Sequence, residues 1–215
     1  MAYLRSSPRL KMNNYSFSIH QRFMSAEYGL GMKFHILIFA FATLIAPAYS
    51  QTSTKLVVNE AESHVSVAVH ATMDSFVGKL DKYALVVEAD PSGRITSAKL
   101  NFAFADLHTG KADRDKEMLK WIAAAQFPDG EFTLVELLGT QADHYTAKGK
   151  LKLHGIEHDV QFPVAILHQG STYSIDGEAP VDYREYGLPI IRKFGMLRVD
   201  PTVKIQFHVQ GEAAK

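Results

Sequence analysis

The sequence predicts an all-β domain of antiparallel strands, on three observations. Nine short runs between Lys55 and Gln210 are either continuously apolar or alternate apolar with polar residues, the period of two that marks half-buried strands. Turn-forming groups such as Asp90-Pro91-Ser92-Gly93 and His154-Gly155 stand between several of them. Only one segment carries a helical period, so the strand–helix alternation of a parallel sheet is missing. Many short strands joined in this way imply a barrel or a sandwich.

The first 50 residues read as processing sequence. Met32-Lys33 gives a basic start, Phe34 to Ala46 is a 13-residue apolar run, and Ala48 and Ser50 put small residues before Gln51, the layout of a secretory signal peptide over 32–50. The run falls short of the ~20 residues that a transmembrane helix needs. Residues 1–31 show no period, and Met32 is the expected initiator. The mature chain is then one domain of 165 residues, 51–215, expected in the periplasm.

Within it, strands are expected over Lys55–Asn59, His64–His70, Leu80–Glu88 and Ile95–Phe104. A helix is expected over Asp113–Ala125, where Met118, Trp121, Ile122 and Ala125 form an apolar stripe and Asp113, Asp115 and Glu117 favour the N-terminal end. Phe127-Pro128 closes it. Five strands follow, over Glu131–Leu138, Tyr145–Leu153, Ile156–Leu167, Thr172–Glu178 and Val203–Gln210.

One stretch, His154-Gly155-Ile156-Glu157-His158, matches the H-x-x-E-H pattern of zinc peptidases, which works only on a helix that presents both imidazoles on one face. Its flanks are not helical. Leu151 and Leu153 alternate with Lys150 and Lys152 before it; Ile156, Val160, Phe162 and Val164 alternate with Glu157, Asp159 and Gln161 after it. A hairpin turning at His154-Gly155 pairs Leu153 with Ile156 and sets Lys152 against Glu157 and Lys150 against Asp159, so opposite charges meet on one face. Gly155 then takes a positive φ, and His158 is expected to be dispensable.

Composition excludes several function classes. Without the five basic and one acidic residues of the first 50, the chain holds 18 basic against 22 acidic residues, a formal charge of −4, and lacks the basic footprint of a nucleic-acid binder. Cysteine is absent, which rules out disulfides, thiol nucleophiles and thiolate-held metals. The eight histidines of the mature chain are scattered over strands and turns, and no metal or cofactor is expected. No G-x-S-x-G elbow or glycine-rich phosphate loop occurs, so the chain does not read as an enzyme.

Closing the strands into a barrel would remove exposed edges and leave an interior able to hold one small ligand. The large apolar residues on the candidate inner faces, Val65, Val67, Val69, Phe102, Phe104, Phe132, Phe162, Ile166 and Phe207 among them, either fill that interior or line a pocket. Pattern alone leaves both open.

The segments "SHVSVAVHATMDSFVGKL" (63–80), "TGKADRDKEML" (109–119), "FPDGEFTL" (127–134), "AKGKLKLHGIEHDVQFPV" (147–164), "DYREYGL" (182–188) and "VKIQFHVQG" (203–211), in that order and spacing, resemble the YceI-like family, exported bacterial lipocalin-like barrels associated with polyisoprenoid or other amphiphilic lipids. The resemblance spans Lys55 to Gly211. It implies an antiparallel lipocalin-like barrel of about eight strands with one short helix packed near its mouth. It also implies an elongated amphiphilic lipid as partner, such as a polyisoprenoid or quinone-like molecule, held without chemical conversion. The nine inner residues named above would bury the tail, with Arg114, Met118 and Trp121 of the helix joining the ligand set. Arg114 can equally form an ion pair or cap that fixes the helix. Other readings are a small periplasmic enzyme acting on a lipid and a packed stress or structural protein without a pocket. The oligomeric state, a dimer included, stays open.

Overall fold

The computed structural model describes residues 53–72, 74–141, 143–193 and 197–214. The expected leader over 1–50 lies outside them. The chain runs through β1 (Thr54–Val58), β2 (His64–His70), β3 (Ser75–Leu80), β4 (Ala84–Ala89), β5 (Ile95–Ala103) and the short β6 (Leu107–His108), then crosses by helix α1 (Ala112–Trp121). It continues through β7 (Asp129–Gln141), β8 (His144–Leu153), β9 (Ile156–Gln169) and β10 (Thr172–Asp182). A small hairpin of β11 (Arg192–Lys193) and β12 (Leu197–Arg198) precedes β13 (Thr202–Ala213).

Among the described residues every strand pairing is antiparallel, and the ring closes where β13 meets β1. Because β13 pairs with β2 along Lys204–His208 and with β1 along Gly211–Ala213, β1 and β2 share one position in the ring. β3 and β4 likewise share the next, against β2 and β1. The molecule is therefore a closed antiparallel barrel of eight strands with one helix, the predicted class. The reading of Leu80–Glu88 as one strand is corrected: Asp81, Lys82 and Tyr83 interrupt it. There the Asp81 amide donates to the Asp106 carbonyl at 2.9 Å.

Burial follows the alternation. One apolar cluster occupies the barrel interior, with Val87, Ala89, Phe162 and Tyr173 among its members. A second cluster, around Phe104, Ile122, Leu153, Tyr183 and Tyr186, sits where α1 and the segment after β10 meet the strand ends. Outside the barrel, charges pair across strands: Lys99 with Glu131 at 3.0 Å, Lys150 with Glu157 at 3.1 Å and Lys204 with Glu178 at 2.7 Å. Such exposed pairs add little energy each. They do penalise a register slip, which would set them against apolar neighbours.

The helix ends earlier than its sequence pattern predicts. Ala123 turns left-handed at φ 51°, and the Phe127 amide donates back to its carbonyl at 2.9 Å. The regular 3.6-residue spacing stops there, so the predicted stripe is corrected: Ile122 is buried, Leu119, Trp121 and Ala124 pack half-buried beside it, and Ala125 is exposed. Arg114 anchors the start. Its Nε donates to Thr109 Oγ1 and its Nη2 to the Thr109 carbonyl, both at 2.9 Å, while the guanidinium lies 3.7 Å over the Phe76 ring and 3.7 Å from Asp74.

The β8–β9 hairpin has the expected register, with Leu153 opposite Ile156 and Lys152 opposite Glu157. His154 and Gly155 take φ of 50° and 76°, the two positive values of a type I′ turn. A Cβ at Gly155 would stand 2.8 Å from Phe127 Cε1. Gly155→Ala is therefore expected to cost about 1–2 kcal/mol in thermal or urea melts. The expectation that His158 is dispensable is corrected. Its ring packs edge-on against Tyr186 at 5.2 Å and its Nε2 donates to the Glu185 carbonyl at 2.9 Å, so His158→Ala is expected to cost about 1 kcal/mol as well. A melt unchanged by either substitution would contradict the corresponding contact.

Candidate functional site

The inward faces of β2 to β10 and of β13 enclose a cavity of about 150 Å³ whose walls are apolar side chains throughout. No titratable side chain lines it. On β5 alone the lining runs from Ile95 to Phe102, a length of roughly 20 Å along the strand. The cavity is thus drawn out along the strands rather than compact. An apolar void of this kind offers water no partners and is expected to stay dry.

Three pairings shape the bore. A Cβ at Gly130 would meet Phe102 Cζ at 2.3 Å, one at Gly149 would meet Phe132 Cε2 at 2.4 Å, and one at Gly177 would meet Phe207 Cζ at 2.3 Å. Phe102 and Gly130 are direct cross-strand partners, as are Phe207 and Gly177. Each ring therefore lies over the bare backbone of the next strand instead of standing out into the lumen. Phe162 completes the aromatic wall, 5.7 Å from Phe132 and 5.9 Å from Phe207 between ring centroids.

The residues expected from the sequence divide into two groups. Val65, Val67, Phe102, Phe132, Phe162, Ile166 and Phe207 stand at the cavity wall. Val69, Phe104, Arg114, Met118 and Trp121 lie outside that wall. Val69, near the end of β2, packs against the second cluster, and Phe104 belongs to it because the chain leaves β5 there as a 3-10 turn. Arg114 spends its donors on Thr109 and Asp74, the helix-fixing role. Met118 is half-buried on α1, away from the wall. Trp121 stands edge-on to Tyr183 at 5.0 Å and donates its indole N–H to the Pro189 carbonyl at 2.9 Å, so it seals the barrel end.

Sequence reasoning missed other wall residues, Leu80, Leu85, Val87, Ile95, Leu137 and Ala147 among them. Their signal was the same alternation, carried by smaller side chains. It also missed Tyr186, which is 0% exposed. Burial, with a smaller contribution from the nearby Glu185 charge, pushes its phenol up to about 12. Burial raises the Tyr183 phenol too. At the opposite end Tyr173 Oη donates to the Gly93 carbonyl at 3.1 Å beneath the stacked His168 ring.

The histidines do not converge. His154 Nδ1 donates to the Tyr186 carbonyl at 3.0 Å, His208 pairs with Asp176 at 2.7 Å and stacks on His64, and His108 lies 3.7 Å from both Asp81 and Asp115. Among the described residues no cluster of three or more His, Asp or Glu could hold a metal ion. No helix among them is long and apolar enough to cross a membrane.

Comparison with known proteins bears on this arrangement. The family model for the YceI-like domain matches residues 56–211. The crystal structure of Burkholderia cenocepacia BcnA superposes with a TM-score of 0.64 at 23% identity, covering 72% of this chain and 99% of that one. A polyisoprenoid-binding domain from Saccharophagus degradans, implicated in plant cell wall breakdown, superposes with a TM-score of 0.56 at 13% identity, covering 76% of this chain and 100% of that one. The Campylobacter jejuni YceI protein does so with a TM-score of 0.57 at 13% identity, over 64% and 85% of the two chains. No curated protein matches the sequence. At these identities the superpositions speak for the shared barrel.

Proposed function

Since this chain belongs to the YceI-like family, we propose that it holds an elongated amphiphilic lipid, such as a polyisoprenoid or quinone-like molecule, in the barrel interior without converting it. The observation that carries this reading is the long bore walled by apolar side chains alone. Burying a hydrocarbon tail there gains about 25 cal/mol per Å² of apolar surface removed from water. The wall supplies no acid, base or nucleophile with which to transform a ligand. The Saccharophagus degradans domain, described as polyisoprenoid-binding, supports the same class of partner. The proposal extends to location: export to the periplasm, which the basic start at Lys33 and the apolar run Phe34–Ala46 support.

One purification tests both halves. Protein recovered gently from a periplasmic extract is expected to begin at Gln51 and to release, on organic extraction, a lipid visible by mass spectrometry. Recovery only from the cytosol with residues 1–31 attached would defeat the location. An empty extract, together with no uptake of any isoprenoid by the delipidated barrel, would defeat the binding reading.

A further inference from the structure

Side chains lie across both ends of the bore: Trp121 and Tyr183 at the helix end, Tyr173 beneath the stacked His168 ring at the other. A ligand must therefore pass the wall itself. Between β9 and β10 the strands pair from Gln169–Thr172 to Val164–Gly177 and no further, although β9 stays paired with β8 down to Ile156 and β10 with β13 as far as Asp182. The wall carries no ladder over the rest of that seam.

Two prolines cause the break. Successive residues of an antiparallel strand direct their N–H and C=O groups to opposite neighbours. The two-residue turn at His154-Gly155 makes Leu153 and Ile156 a bonded pair, so the even-numbered residues of β9 bond to β8 and the odd-numbered ones face β10. The Ile166 amide, which donates to the Asp143 carbonyl at 2.8 Å on the β8 side, agrees. By the same rule the turn at Gly170-Ser171 points the even-numbered residues of β10 toward β9. Pro163 and Pro180 thus each present a nitrogen without a proton to the strand opposite, where the next two bonded rungs would form.

Packing alone shuts the seam. Val160 and Phe162 of β9 and Ala179 and Val181 of β10 form its inner rim, and all four line the bore. On the outer face Pro163 and Glu178 wall a surface hollow that shares Val164 and Phe207 with the bore. At its far end His154 and His158 donate to the Tyr186 and Glu185 carbonyls. The seam is a slot fixed at both ends, and parting its rims breaks no ladder bond. A second gap, Ile95–Ala98 against Leu134–Leu137, holds no proline and is spanned by the Arg94 guanidinium, which donates to the Leu137 carbonyl at 3.4 Å.

We propose that the β9–β10 seam is the doorway of the barrel, through which an apolar chain passes broadside into and out of the bore. The doorway rests on the lipid-binding reading and adds the route.

Cysteine is absent from the chain, so introduced pairs can be bridged without background. Gln161→Cys with Pro180→Cys spans the seam on its exposed face, and Ser97→Cys with Val135→Cys spans the second gap. Each delipidated protein, before and after reaction with a short bis-maleimide, is mixed with N-phenylnaphthylamine in a stopped-flow fluorimeter. The seam bridge is expected to slow uptake about tenfold or more, while the other bridge leaves it within about twofold. In the wild type, hydrogen exchange at the Gln161 and Glu178 amides should run about a hundredfold faster than at Phe162 and Ala179, which bond to β8 and β13. Uptake unchanged by the seam bridge, or slowed equally by both bridges, would overturn the doorway alone. Protected Gln161 and Glu178 amides would reveal a ladder there and overturn it too. No uptake by the wild type would overturn the lipid reading and the doorway with it.

Discussion

Alanine at Phe162 is expected to cost the delipidated barrel about 3–5 kcal/mol. For a domain of this size that lowers the melting midpoint by roughly 10 °C. Phe162 is 6% exposed and touches two other rings across the bore, Phe132 on β7 and Phe207 on β13. Its removal enlarges a space that already exists, and closed walls of hydrogen-bonded strands cannot collapse into it. The lost contacts therefore go uncompensated. Adding an isoprenoid should restore part of the midpoint, since a ligand that binds the folded form alone raises stability by mass action. A loss below about 1 kcal/mol would mean that the three rings do not brace one another.

Valine at Gly149 is expected to cost about 2 kcal/mol or more by overpacking. Its Cβ would lie 2.4 Å from Phe132 Cε2 and 2.8 Å from the Thr133 carbonyl oxygen. The ring has somewhere to go; the carbonyl belongs to the ladder and does not. Gly177→Ala makes the contrast. There the nearest obstacle is the tip of Phe207, which can swing into the lumen, so stability should change by less than about 1 kcal/mol. The displaced ring would occupy space needed by a lipid tail and weaken retention about tenfold, the equivalent of roughly 1.4 kcal/mol of lost packing. Urea melts and lipid titrations on the two variants separate the effects. Equal destabilisation of both would show that ring mobility, not backbone proximity, sets the cost.

The period of two made most of the barrel legible. The register of β8 on β9 followed from the two-residue turn at His154-Gly155, and the charges agreed with it, because Lys150 and Lys152 both meet acidic residues at that alignment. The break at Asp81–Tyr83 was hidden, since a bent strand keeps its alternation on both sides. The helix stripe misled because a left-handed Ala123 carries no sequence signal of its own. Arg114, Met118 and Trp121 were assigned by their place on that helix, whereas their partners come from distant segments: Asp74 for Arg114, Pro189 and Tyr183 for Trp121. Whether a phenylalanine blocks or lines the bore depends on the residue opposite it. Gly130, Gly149 and Gly177 inside strands were the available hint, as glycine weakens a strand unless another group needs its surface.

The closing seam also governs how the chain comes together. Leu56, Val57 and Val58 find Ala213, Glu212 and Gly211, and the Ala214 amide reaches the Lys55 carbonyl at 3.0 Å. These partners are roughly 150 residues apart, the kind of contact that places a protein among slow folders, on the scale of milliseconds to seconds. As the chain emerges, β1 and β2 come out first and wait for β13, the last strand of the ring. Until that strand arrives the growing sheet exposes two unpaired rims and an open greasy trough, both of them sticky to other nascent chains.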